Sequence, residues 1–129
     1  MPIHFTFDKE KNILYCVANG TLTPDEFYNK TLSMTQSSEY SADVRTLWDI
    51  RNLDFDIIDT DFQKKLIAIR EAIPARGKTK IACVADSDLS FGLTRMYQIL
   101  SSDLPQELMV FRDFAKAEQW LLNDDSLKD

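Results

Sequence analysis

Residues 79–101, TKIACVADSDLSFGLTRMYQILS, pass from a short apolar run through a polar turn into helical spacing, and the rest of the chain reads as further copies of that strand-to-helix unit. Residues 81–85 are five consecutive apolar side chains without alternation. That run is too short for a buried helix and fits an interior parallel strand covered on both faces. Asp86, Ser87, Asp88 and Ser90 follow, and Ser87, Asp88 or Ser90 could each accept from the free amides of a first helical turn. A helix is therefore expected to start near 88–91. Its inward side comes either from Leu89, Leu93, Met96 and Leu100 or from Phe91 and Leu93 with Tyr97, since both sets recur at spacings of three and four. Gly92, inside the helix, predicts a close backbone approach.

Upstream, Ile3, Phe5 and Phe7 alternate with His4, Thr6 and Asp8, the pattern of a strand buried on one face. A polar turn at 9–12 leads into a second strand at 13–18, so short a connection that the two must be antiparallel. Thr23-Pro24-Asp25-Glu26 opens a helix, with Thr23 as cap, Pro24 in the first position and Glu26 returning a bond to the cap amide. Phe27, Thr31 and Met34, beside Leu32, face inward. Residues 44–48 form a third strand that ends in Asp49 and Arg51. In residues 52–58, Leu53, Phe55 and Ile57 alternate with Asn52, Asp54 and Asp56, which makes this connection longer and more apolar than a plain loop needs to be and marks it as a flap.

A second helix is expected over 61–73, capped by Asp59 or by Thr60 with Gln63 three residues later, with Phe62, Leu66, Ile69 and Ile73 inward and Pro74 and Gly77 ending it. After the opening unit come a fifth strand at 108–111 and a last helix from the Asp113 cap to 123, whose inner face is Phe114, Ala117 and Trp120 or Leu121. Residues 124–129 should fray. The order β-β-α-β-α-β-α-β-α predicts one α/β domain: a mostly parallel five-stranded sheet with right-handed crossovers and an antiparallel N-terminal edge strand.

A formal charge of −6 on 129 residues excludes a nucleic-acid backbone as the main partner, because such binding needs concentrated Lys and Arg. There is no basic segment followed by an apolar one at the N-terminus, and no apolar run approaches the roughly 20 residues of a membrane span. The expectation is a soluble, cytoplasmic protein. Cys16 and Cys83 fall among apolar neighbours in strands and read as reduced, buried hydrophobes.

In an open parallel sheet, ligands bind beyond the carboxyl ends of the strands. Those ends carry Gly20 and Thr21, Asp49 and Arg51, Asp86 and Ser87, and Arg112 with Asp113. Asp86, Ser87 and Asp113 are accounted for as helix caps. Arg51 and Arg95, a cationic pair near helix N-termini, would suit a phosphate or carboxylate, although pairing with Asp49 and Asp86 is the commoner fate. Gly77-Lys78-Thr79 matches the end of a P-loop but lacks the earlier glycine, where Ala72 stands, and precedes a strand instead of following one. Arg76, Lys78 and Lys80 read as a small solvated basic turn. Asp54, Asp56, Asp59 and Asp61 could hold a hard cation, but helix-start acidity explains half of them. With one histidine, His4, and no activated cysteine, no catalysis, cofactor or metal is expected.

The LTPDEF helix start, the LWDIR strand end, the KIACVADSDLSFGLTRMYQ unit and the closing VFRDFAKAEQWL together resemble the SpoIIAA-like family over nearly the whole chain. That family shares the fold of STAS domains and is grouped with the CRAL-TRIO lipid-binding fold. STAS antagonists carry a phosphorylatable serine between the third strand and the second helix. Here that turn reads Asp49-Ile50-Arg51-Asn52, with no hydroxyl, and Thr60 lies too far along, so a phosphoserine switch is not expected. The resemblance implies a non-enzymatic STAS-like module that binds a protein partner or itself. Its surface would comprise Asp49, Arg51, Phe55, Asp86, Ser87, Ser90 and Arg95. The alternative is a carrier of an apolar small molecule or lipid beneath the flap.

Overall fold

A computed structural model describes residues 3–73 and 76–123. The elements run β1 (Ile3–Asp8), β2 (Ile13–Ala18), α1 (Pro24–Gln36), β3 (Arg45–Asp49), α2 (Thr60–Ala72), β4 (Lys80–Val84), α3 (Asp88–Leu100), β5 (Glu107–Phe111) and α4 (Phe114–Leu122). The sheet is ordered β1-β2-β3-β4-β5, with β1 antiparallel to β2 and every later pair parallel. The expected architecture is therefore the observed one. Pro74 and residues 124–129, to which a helix stop and fraying were assigned, lie outside the described residues.

Strand alternation sends two sets of side chains to two unequal cores. Ala18, Ile50, Ile81, Cys83, Leu108 and Val110 meet Phe27 of α1, Leu66 of α2 and Phe91 and Tyr97 of α3. Ile13, Leu47, Ala82 and Val84 meet Ala117 and Leu121 of α4, which covers the opposite face. β4 is buried at all five positions because it has helices on both sides. That is why its stretch of sequence shows no alternation.

Local capping follows the side-chain chemistry. Thr23, Asp59, Ser87 and Asp113 are the four N-caps, each accepting from an amide in the first turn. Ser87 and Ser90 form a reciprocal capping box, so Ser87 is the cap among the three candidates there. Glu26 does not return a bond to the cap amide. Its Oε1 accepts from the Thr23 hydroxyl instead.

On α3, the first of the two expected sets, with Leu89, Met96 and Leu100, faces solvent, and the second holds: Phe91 and Tyr97 pack against the core beside the buried Ser90 and Thr94. Two expectations are overturned. Gly92 permits no close approach: it is exposed, and a Cβ there would meet nothing within 4 Å. The basic turn is not solvated, since Arg76 and Lys80 are buried. The Lys80 ammonium donates to the carbonyls of Trp120, at 2.8 Å, and Asn123. It thereby caps the C-terminus of α4, where the helix dipole favours a cation.

Candidate functional site

The flap is built on the end of β2. Gly20, in the left-handed region at φ 70°, closes the strand; its amide donates to Asn52 O at 3.0 Å and its carbonyl accepts from Asp54 N at 2.7 Å. This isolated bridge beside Leu53 holds residues 52–58 across the sheet edge. From there Leu53 and Phe55 turn inward against the core and Ile58 is buried, while Ile57 points out.

Beneath the flap lies a chamber of about 100 Å³. The sheet supplies its floor through Trp48, Ile81, Cys83 and Leu108, the flap its lid through Leu53, Phe55 and Ile58, and the helices its walls through Phe27, Leu66, Thr94 and Tyr97. Polar groups are few. Gln63, 2% exposed, donates through Nε2 to Leu93 O at 2.7 Å, and its Oε1 has no partner. Arg70 Nη1 donates to the Tyr97 hydroxyl at 3.1 Å and Nη2 to Gln106 Oε1 at 3.0 Å, while Gln106 Nε2 donates to Arg76 O. Burial pushes the Tyr97 hydroxyl above its ordinary pKa, so it stays neutral.

An annex of about 40 Å³ adjoins the chamber, lined by Thr31, Met34, Thr46, Ile73, Arg76 and Gln106, and by Phe27, Trp48, Arg70 and Ile81, which line both spaces. Arg76 is 8% exposed, and burial lowers its pKa to about 10. Its Nη1 donates to Ala42 O at 3.2 Å and lies 3.0 Å from Met34 Sδ. Arg76 Nη2 and Thr46 Oγ1 are buried without a hydrogen-bond partner among the described residues.

The residues named from the sequence do not converge on one site. Asp49 and Arg51 form a bidentate pair at 2.9 and 2.8 Å on the α4 side of the sheet, with Arg51 also 5.5 Å from the Phe114 ring centre. The Arg51 guanidinium holds the Asp49 carboxyl below its ordinary range. Asp86 is exposed beside them; its carbonyl accepts from Arg112, which also pairs with Asp88 at 3.0 Å and stacks over Phe91. Ser87 and Ser90 are engaged with each other at the start of α3. Phe55 lies across the sheet, on the chamber. Arg95 is exposed on α3 and makes no ion pair among the described residues, so the expected tie to neighbouring carboxylates is absent there.

The acidic cluster is dispersed as well. Asp59 caps α2, Asp54 accepts from Asp56 N, and no group of metal-ligating side chains forms among the described residues. Both thiols are buried, and burial pushes that of Cys83 up to about 12 and that of Cys16 higher. No helix among the described residues is long and apolar enough to cross a membrane.

Sequence reasoning misses Arg70 and Thr46, reads Gln63 only as a capping partner of Thr60, and reads Arg76 only as part of a solvated turn. Gln63 and Arg70 sit one and three or four positions from the apolar residues that marked the inner side of α2, and could have been found as polar members of that stripe.

No family model and no curated protein matches this chain. Among solved structures it is similar to an uncharacterised DUF3478-family protein with a SpoIIAA-like fold from Shewanella loihica PV-4. The likeness has a TM-score of 0.63 at 20% identity and covers 92% of this chain and 91% of the other. The sequential sheet order, the antiparallel first strand and this likeness over nearly the whole length agree: the chain has a SpoIIAA-like fold.

Proposed function

We propose that the protein is a non-catalytic binding module that works by protein contact, and that its first partner is a second copy of itself. The observation that carries this is the outward face of α3. Leu89, Met96, Ile99 and Leu100 are 57, 43, 65 and 39% exposed, and Ile57 of the flap is 46% exposed. Just after the flap, the start of α2 meets α3, where the Thr60 hydroxyl lies 3.8 Å from Met96 Sδ. A contiguous apolar patch of this kind on a folded domain marks an interaction surface.

Leu89, Leu93, Met96 and Leu100 are spaced four, three and four apart, the seam along which one helix lies beside another. An antiparallel second copy would set Leu89 opposite Leu100 and Leu93 opposite Met96, a self-complementary two-fold contact. In a chain of net charge −6, α3 carries one acid and one base, Asp88 and Arg95, so two copies meet there without net repulsion. The absence of catalysis rests on the side-chain inventory: His4 is exposed on the edge strand and both thiols are buried and held protonated.

The chamber favours a second reading, binding of a small apolar molecule beneath the flap. Native mass spectrometry tests both. A dimer that Met96→Glu or Ile99→Glu converts to a folded monomer supports the first, whereas a wild-type monomer at micromolar concentration removes it. A co-purified mass lost on organic extraction supports the second.

A further inference from the structure

We infer that the space beneath the flap is built for a small carboxylic acid, with its apolar body in the chamber and its carboxylate in the annex. This inference deepens the small-molecule reading and rests on it.

Two guanidinium groups and no carboxylate line the annex. Neither Arg70 nor Arg76 pairs with an acid among the described residues. Arg70 is met by neutral partners, the Tyr97 hydroxyl and the Gln106 amide. Among the described residues the Arg76 side chain is bound through Nη1, to a carbonyl and a thioether. The Asp43 carboxylate acts on Arg76 from a distance but makes no ion pair with it, and accepts from the Gly77 amide at 2.6 Å instead. A buried cation without a direct counter-charge is destabilising, and a buried N–H with no acceptor adds to that.

Arg76 Nη2 and the hydroxyl of Thr46, which is 0% exposed, both belong to residues that line the annex, and neither atom has a hydrogen-bond partner among the described residues. A guanidinium N–H and a freely rotating O–H are two donors, and a carboxylate offers two oxygens to accept them. The annex has room for a group of that size and little more. The chamber supplies the other half. At about 100 Å³ it is somewhat smaller than the cavity of about 150 Å³ that holds benzene, so the body is on the order of four to six carbons. A long acyl chain does not fit.

The test is titration of the full chain with hexanoate and with its neutral counterpart hexanol, followed by backbone amide shifts in the flap, α2 and β4. Wild-type protein is expected to bind hexanoate roughly ten- to a hundredfold more tightly than hexanol. Arg76→Gln should bring hexanoate down to the level of hexanol and leave hexanol unchanged. Should that variant not fold, Arg70→Gln, at the half-buried junction of the two spaces, is expected to reduce the same ratio. Equal or tighter binding of hexanol by wild type overturns the anion site while the small-molecule reading stands. Binding of neither compound, with no co-purified mass, overturns both.

Discussion

Lys80→Met keeps the length of a fully buried side chain and removes its charge, so it isolates what the ammonium does at the end of α4. In the native protein that group donates to Trp120 O and Asn123 O and lies 4.8 Å from the centre of the Trp120 ring. Hydrogen bonds from a charged donor contribute about 1.5–3 kcal/mol each, and a cation at a partly buried helix C-terminus up to about 2 kcal/mol more. Against these stands the desolvation of a buried ammonium, several kcal/mol, which methionine does not incur. The net loss is expected to be about 2 kcal/mol. For a chain of this length that corresponds to a fall in Tm of roughly 6–10 °C, measured by circular dichroism at matched pH and salt. Trp120 emission should shift in the same variant, because its nearby cation is gone. A variant within roughly 2 °C of wild type, or more stable, would refute the reasoning: the ammonium would then be a desolvation burden and not a cap.

Two further outcomes concern an exposed ion pair and the two buried thiols. Asp49 titrates below the ordinary carboxylate range in the folded chain, so its pairing with Arg51 contributes stability above the unfolded value of about 3.9 and loses it as pH falls through the lower folded value. Because Arg51 is largely in water, the contribution is under about 1 kcal/mol; Arg51→Ala should flatten the acid limb of the stability curve, and an unchanged limb would contradict the assignment. Cys16 and Cys83, buried with raised pKa values, should react with a charged thiol reagent only on unfolding and at one common rate. Fast labelling of either in the native protein would restore a nucleophile to the chain.

The strands were legible because burial on one face or two leaves different patterns: alternation in β1, and an unbroken apolar run in β4. The caps were legible because Thr23, Asp59, Ser87 and Asp113 act within three residues of themselves. The annex was not, because its members come from β3, α1, α2 and the segments before β4 and β5. A lysine or arginine looks the same in sequence whether it reaches water or a buried carbonyl. Lys80 and Arg76 sit two positions either side of the exposed Lys78 and in sequence alone read as one turn with it. What separates them is register. Position 80 belongs to β4 and points under α4, beside Ala82 and Val84, where the end of a helix offers carbonyl acceptors.

α3 shows why a helical period settles spacing but not direction. Its sequence carries an apolar stripe and a smaller, mixed one, and the hydrophobic effect alone would turn the stronger stripe inward. The structure does the reverse because the mixed stripe has already satisfied its polar atoms. Thr94 Oγ1 donates to Ser90 O at 2.7 Å, the Ser90 hydroxyl is engaged by Ser87, and the Tyr97 hydroxyl accepts from Arg70. Serine and threonine bonded within their own helix can be buried with little penalty, and their small size leaves the chamber open beneath the flap. Leu89, Met96 and Leu100 are thereby left on the outside of the same helix. The features that make the chamber and the exposed apolar seam therefore share one cause, the polar and compact inner side of α3.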